Sequence, residues 1–321
     1  MLAVTDAQKT EILSIPTLIA AGALFVVNHS GGKDSQALLI KLLELVPREQ
    51  LLVIHASLGE VEWEGALEHA QEQAEADGLP FLVAKSVKTF FEMVEHRFKV
   101  RPGPNSPCWP SAANRQCTSD LKRGPIEREI RRYTKERGIK TIVTCMGIRA
   151  AESPGRAKQI SFRRNVRNSV AGRDWYDLLY IHDMPTEQVF ETIACAGQKP
   201  HWAYAAGNQR LSCVFCIMGS PRDLANGARH RPELLAKYLE IEARTGYTMH
   251  QSRKPLGELI ALGEQQLAAD FPAANLPELD QPIRCEHCGR ACDLRDPDAA
   301  DAAGGCQGWD GWECPSCKEE P

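Results

Sequence analysis

The sequence predicts an α/β protein built on a doubly wound, mostly parallel sheet, with a small cysteine-rich module at its C-terminus. Three observations predict it. From Phe25 onward short apolar runs alternate with helical patterns, the signature of strands joined by crossover helices. The first run, Phe25-Val26-Val27, feeds a polar glycine turn that opens directly into a helix. Beyond residue 282 apolar content falls away, and six of the twelve cysteines crowd into residues 283–321. The predicted organisation is a nucleotide-binding domain over 1–267, a Pro/Ala-rich linker over 268–282 and the tail over 283–321.

Each element follows from local pattern. After the turn, Gln36 to Val46 spaces leucine and isoleucine as a helix does. Leu51 to Ala56 is the second strand, and Glu62 to Asp77 an alanine-rich helix stopped by Gly78. Phe81 to Ala84 is the third strand, and Thr89 to Phe98 the third helix. Pro102 to Asn114 is a loop. Ser119 to Arg137 is a charged helix capped by Ser119 or Asp120, and Thr141 to Met146 the fourth strand. Arg149 to Arg173 is basic and poor in apolar residues, and reads as a loop. Helices resume over Thr186 to Gly197 and Pro232 to Gly246. Ligands of such sheets bind at strand carboxyl ends near the switch point. The glycine turn and Gly147-Ile148-Arg149 are therefore expected to face one cleft.

Net charge is −4, so no global basicity argues for nucleic acid, and any such contact needs a local patch. The apolar stretch Ile12 to Val27 is interrupted by Pro16 and Gly22 and lacks a basic leader, which argues against a membrane span or signal peptide. Cysteines grouped as Cys-x-x-Cys pairs suit metal or redox chemistry in a reducing cytoplasm.

Ser30-Gly31-Gly32-Lys33-Asp34-Ser35 is a phosphate cradle in chemical terms. Main-chain amides at a helix start attract anions, the glycines permit close approach, Lys33 adds a cation and Ser30 and Ser35 add hydroxyls. Asp34 is expected to hold Mg²⁺ through water or to cap the helix. The run fits neither the Gly-x4-Gly-Lys-Ser/Thr loop nor the dinucleotide Gly-x-Gly-x-x-Gly. It resembles the signature of the PP-loop ATP pyrophosphatases, which implies ATP binding and cleavage between the α and β phosphates.

Further segments resemble the phosphoadenosine phosphosulfate (PAPS) reductase family within that PP-loop (HUP-like) superfamily. They are Arg115-Gln116-Cys117-Thr118-Ser119-Asp120-Leu121-Lys122-Arg123-Gly124-Pro125, Gly147 to Ser153, Ala203-Tyr204 and Arg210-Leu211-Ser212-Cys213-Val214-Phe215-Cys216. The matches cover roughly residues 20–260 in the family's order. Reductases carry a C-terminal Glu-Cys-Gly-x-His nucleophile; here Glu313-Cys314-Pro315-Ser316-Cys317 does not fit it. The adjacent Cys-Cys pair of iron–sulfur adenylylsulfate reductases is also missing at Cys117. The pattern is similar to the DNA-phosphorothioation branch and its phage relatives.

The resemblance makes Cys117, Cys213 and Cys216 candidate iron–sulfur ligands, with Cys108 as the fourth, for a 4Fe-4S cluster. A structural zinc and unligated thiols stand beside that reading. Cys145, inside a strand, reads as a small buried residue. In the tail, Cys285-x-x-Cys288 and Cys314-x-x-Cys317 form two knuckles with zinc-ribbon spacing for Zn²⁺. A second redox centre and disorder are the alternatives there. Zinc would supply the folding energy that so small a core lacks.

The nucleotide site is expected to draw on Ser30 to Ser35 with Lys122, Arg149 and Glu152, and catalysis on Lys33, Asp34 and Arg149. Arg163, Arg164, Arg167 and Arg173 are candidates for a nucleic-acid backbone or for a solvated loop. Function is expected to be adenylation of an acceptor from ATP, releasing pyrophosphate, for sulfur transfer with a sulfur-donor or electron-donor protein. Two rivals stand beside it: a PAPS or adenylylsulfate reductase, and a non-catalytic protein that senses nucleotide or binds nucleic acid.

Overall fold

Five parallel strands and one antiparallel edge strand form the sheet, in the order β3-β2-β1-β4-β6-β5. They are β1 (Leu24–Asn28), β2 (Leu51–Ser57), β3 (Phe81–Lys85), β4 (Thr141–Met146), β5 (Phe162–Arg164) and β6 (Asp174–Leu178). The computed structural model describes residues 14–100, 103 and 106–270, plus two short strands in the tail. Residues 1–265 make one compact unit and 266–321 a second.

Burial explains why β1 is central. Leu24 to Val27 are all buried, as a strand covered on both faces must be. Phe25 and Val27 pack with Leu38, Leu42, Val53 and Val143 on one face. Leu24 and Val26 pack with Leu52, Ile130, Ile142 and Trp175 on the other. The first face is covered by α1 (Ile15–Ala20) and α2 (Lys33–Leu43), the second by α5 (Gly124–Glu136). The parallel strands and their crossover helices thus match the predicted doubly wound arrangement.

A third core joins the insertions beyond the sheet. α3 (Ala66–Ala76), α4 (Phe90–Val100), α8 (Pro221–His230), α9 (Pro232–Thr245) and α10 (Leu256–Asp270) contribute to it with the loop around Trp109. Trp109 stacks on Tyr238 with ring centroids 5.6 Å apart. The remaining helices are the short α6 (Pro154–Ala157) and α7 (Thr186–Cys195).

Three segments depart from the sequence-based expectation. The helix expected from Glu62 begins at Ala66, because Gly65 sits at φ +81° and a 3-10 turn occupies Gly59–Val61. The charged helix begins at Cys117 as a π-helix through Arg123 and continues as α5. Neither Ser119 nor Asp120 caps it, since Ser119 Oγ donates to Gln116 O and Asp120 Oδ1. The basic stretch before Arg173 is not one open loop; it holds the edge strand β5. Arg163 pairs with Asp177, Arg164 with Asp174 and Arg167 with Glu127, while Arg173 donates to Asn168 O. The Arg163, Arg164 and Arg167 side chains stay more than half exposed in these pairs.

In the second unit, β7 (Ile283–Arg284) pairs antiparallel with β8 (Ala291–Cys292). Cys285, Cys288, Cys314 and Cys317 lie outside the described residues. Among the described residues no helix is long and apolar enough to cross a membrane.

Candidate functional site

The order of strands reverses between β1 and β4, so the carboxyl end of β1 opens at the switch point. Residues Ser30 to Gly32 turn there into α2, whose N-cap is Gly32. Gly31 has φ +75°, and a Cβ on it would lie 2.4 Å from Ala66 O, so glycine is required twice over. Internal bonds fix the turn: Gly31 N donates to His29 Nδ1 at 3.1 Å and Ser30 N to Ser35 Oγ at 3.2 Å, while Ser35 Oγ donates to Gly32 O at 2.8 Å. The amides left without an intrahelical acceptor are those of Lys33, Asp34 and Ser35. Lys33 N donates to Tyr204 Oη at 3.0 Å.

Lys33 is buried, at 3% exposure. Its ammonium donates to Asp34 Oδ2 and to Gln209 O, both at 3.3 Å, and lies 5.2 Å from the Tyr204 ring centroid. Asp34 Oδ1 accepts from Arg149 Nε at 2.6 Å. Arg149 Nη1 donates to Met184 O at 3.0 Å, and both Nη atoms donate to Thr186 Oγ1 at 3.2 Å. Glu152 accepts from Arg149 N at 3.0 Å and pairs with Arg156. The backbones come equally close: a Cβ on Gly147 would lie 2.8 Å from Asp34 O. Contacts therefore link Lys33, Asp34, Arg149 and Glu152 into one group beside the turn of Ser30 to Ser35. Both Asp34 oxygens face cations, which does not fit a ready Mg²⁺ position, since a metal there would meet two positive neighbours.

Lys122 sits elsewhere. Burial alone would pull its ammonium down, but Cys213, Cys216, Cys117 and Glu62 outweigh that and hold it above the usual lysine value. Burial pushes the Cys117 and Cys213 thiols up, and Lys122 moderates both. Among the described residues no group of three or more metal-type side chains converges on a point. Cys108 is buried next to Trp109, in the core cluster against which Cys117 and Cys213 also pack, and burial pushes its thiol up. Cys145 is fully buried in β4, and burial drives its thiol upward.

A buried polar chain behind the turn was not anticipated. His55 Nδ1 donates to His29 O at 2.8 Å, and His55 Nε2 is 2.9 Å from Glu62 Oε1. His29 Nε2 donates to Gln73 Oε1 at 2.8 Å. Burial lowers His29 to about 3, so its ring stays neutral and accepts from Gly31 N. Glu62 in turn acts on Lys122 and pairs through its backbone with Cys213. The polar chain thus connects the glycine turn to the thiol group. A histidine inside the apolar run Leu51 to Ala56 was the one signal for it.

No family model matches this chain. An uncharacterised 37.8 kDa protein of Escherichia phage 186 is 28% identical over 134 residues, 42% of this chain and 39% of that protein. The chain therefore spans well under half of the relative it matches. Among solved structures it is similar to a PAPS reductase from Candida auris in a phosphate complex, at 14% identity and TM-score 0.40, covering 66% of this chain and 97% of that one. A Candida glabrata FMN adenylyltransferase with FAD and inorganic pyrophosphate is 14% identical with TM-score 0.41, covering 67% of each chain. The U34-tRNA thiolase of Methanococcus maripaludis with its [4Fe-4S] cluster is 15% identical with TM-score 0.34, covering 84% of this chain and 76% of that one. At such identity and overlap these likenesses assign no chemistry.

Proposed function

We propose that this chain is a PP-loop enzyme that binds ATP at Ser30 to Ser35 and cleaves it to AMP and pyrophosphate. The AMP moiety is transferred to an acceptor oxygen; a sulfur nucleophile then bonds to the atom bearing that oxygen, and the bond to oxygen breaks so that AMP leaves carrying it. One observation carries the reading: a tight glycine turn at the switch point starts a helix whose first amides converge with a buried, directed Lys33. In the adenylation step the acceptor oxygen attacks the α phosphorus and the bond to the β-phosphate bridging oxygen breaks. Negative charge grows on the departing pyrophosphate, where amides and Lys33 stabilise it more than they stabilise the ground state. Asp34, held by Arg149, keeps Lys33 oriented.

The group of Cys117, Cys213, Cys216 and Lys122 is the proposed sulfur-handling site. A bound iron–sulfur cluster would supply sulfur or electron transfer there, and Lys122 would offset its negative charge. Zinc in the cysteine tail, a nucleic-acid acceptor and cytoplasmic location belong to the same proposal.

Lys33→Ala tests the reading. Pyrophosphate release from ATP by the anaerobically purified protein should fall at least 100-fold, in the range seen when one oxyanion donor is removed. Turnover undiminished in that variant sinks the phosphate assignment. Reductant-dependent sulfite release from PAPS, with ATP dispensable, would favour the reductase instead.

A further inference from the structure

The segment from Gln198 to Ser212 crosses the mouth of the glycine turn and is fastened to it at four places. Gln36 Nε2 donates to Gln198 Oε1 at 2.9 Å and to Lys199 O at 3.1 Å. Lys33 N donates to Tyr204 Oη at 3.0 Å. Lys33 Nζ donates to Gln209 O at 3.3 Å. Leu211 lies against Gly32, with its Cβ 3.2 Å from the position a Cβ of Gly32 would take.

These partners fall where a phosphate would be gripped. An amide N–H bonds along one direction, so an anion oxygen reaching Lys33 N needs the position that Tyr204 Oη holds. The phenol is neutral there, since burial makes it a far weaker acid than an ordinary tyrosine. Gln209 O likewise takes a bond that the Lys33 ammonium would give to a phosphate. Both substitutes are uncharged. A phosphate oxygen forms charge-assisted bonds roughly twice as strong with the same donors, so it can displace them.

We propose that residues 198–212 are a strap closing the phosphate loop of the unliganded protein, with the Tyr204 hydroxyl standing in for a phosphate oxygen. A polyphosphate ligand opens it by taking over Lys33 N and Lys33 Nζ. The inference rests on the phosphate-binding reading above and adds a gate to it. Three features localise the movement. Upstream, Trp202 Nε1 and His201 Nε2 are both anchored on Glu64 O at 2.9 Å. Within the strap, Gly207 at φ +105° occupies backbone space that other residues rarely enter. Downstream, Arg222 Nε donates to Gly207 O at 3.2 Å, Asn226 Nδ2 to Asn208 Oδ1 at 2.6 Å and Gln209 N to Asp223 Oδ1 at 2.8 Å, so residues 203–206, which carry Tyr204, are the part that moves.

Calorimetric titration of the full chain with inorganic pyrophosphate separates the two ideas. Tyr204→Phe removes the bond that the ligand must break, so it should bind pyrophosphate roughly 2- to 10-fold tighter than the unmodified protein. Equal or weaker binding by Tyr204→Phe overturns the strap, because the hydroxyl would then be indifferent to the ligand or a direct contact. Lys33→Ala should lose binding whether or not the strap exists. If Lys33→Ala binds as well as the unmodified protein, the phosphate reading itself fails. Hydrogen exchange on the unmodified chain gives a check without any variant. Pyrophosphate should raise deuterium uptake across 203–206, and unchanged or reduced uptake there contradicts the strap.

Discussion

Arg149 has every side-chain nitrogen engaged inside the protein: Nε on Asp34, Nη1 on Met184 O, and both Nη atoms on Thr186. At 2% exposure, and with four of its five N–H donors spent inside the protein, Arg149 is proposed to act through Asp34 as a positioning residue. Arg149→Ala should cost about 3–5 kcal/mol, the usual penalty for stranding one member of a buried charged pair. Arg149→Lys should recover part of that by restoring one bond to Asp34. Urea unfolding of both variants checks this, and an Arg149→Ala midpoint unchanged from the parent would remove the clamp from the account. At this scale Ser30 to Ser35 was legible, because the run contains its own geometry. Lys122 was not: its charge invited a phosphate, and only packing reveals that its neighbours are Cys117, Cys213 and Cys216.

Among elements, the apposition of β4's exit with α2 decides the site. Gly147 lets that backbone pass so close that an alanine Cβ would meet the Asp34 carbonyl carbon and oxygen at 2.8 Å. The obstacle is backbone and cannot rotate away. Gly147→Ala should therefore destabilise the chain by about 1–3 kcal/mol, as overpacking does, and weaken ATP binding by moving Asp34 and Lys33 together. Thermal unfolding with and without ATP reads both effects. A variant that unfolds and binds like the parent would mean the approach is slack. β1, β2 and β4 were readable in the sequence because strands buried on both faces are written as apolar runs, and β3, at one edge, because Phe81 to Ala84 keeps such a run. β5 was hidden because it is a short arginine-bearing strand at the other edge, and β6 because Asp174 and Asp177 interrupt its buried Trp175, Tyr176 and Leu178 to pair with those arginines, as Asp177 does with Arg163. The π-helix at Cys117 escaped notice because a hydrophobic period near 3.6 does not report a wider turn.

For the first compact unit as a whole, the sheet order brings the carboxyl ends of β1 and β4 side by side, and the cleft between them gathers Lys33, Asp34, Arg149 and Glu152. The arginines of the β5 region pair with acidic or carbonyl partners, and the Arg163, Arg164 and Arg167 side chains stay more than half exposed. At the start of α2, local amides and one buried ammonium are the groups suited to attract an anion. The alternation of strands and helices made that location readable in advance. The strap over it was not, since residues 198–212 carry no periodic pattern and their meaning lies in what they touch. The most direct test of the central claim is a crystal structure of the anaerobically prepared protein with a non-hydrolysable ATP analogue. The account predicts a polyphosphate lodged on the amides of Lys33 to Ser35 and on the Lys33 ammonium, with Tyr204 moved aside. Adenosine and phosphates bound elsewhere, with that helix start still closed by Tyr204, would contradict it.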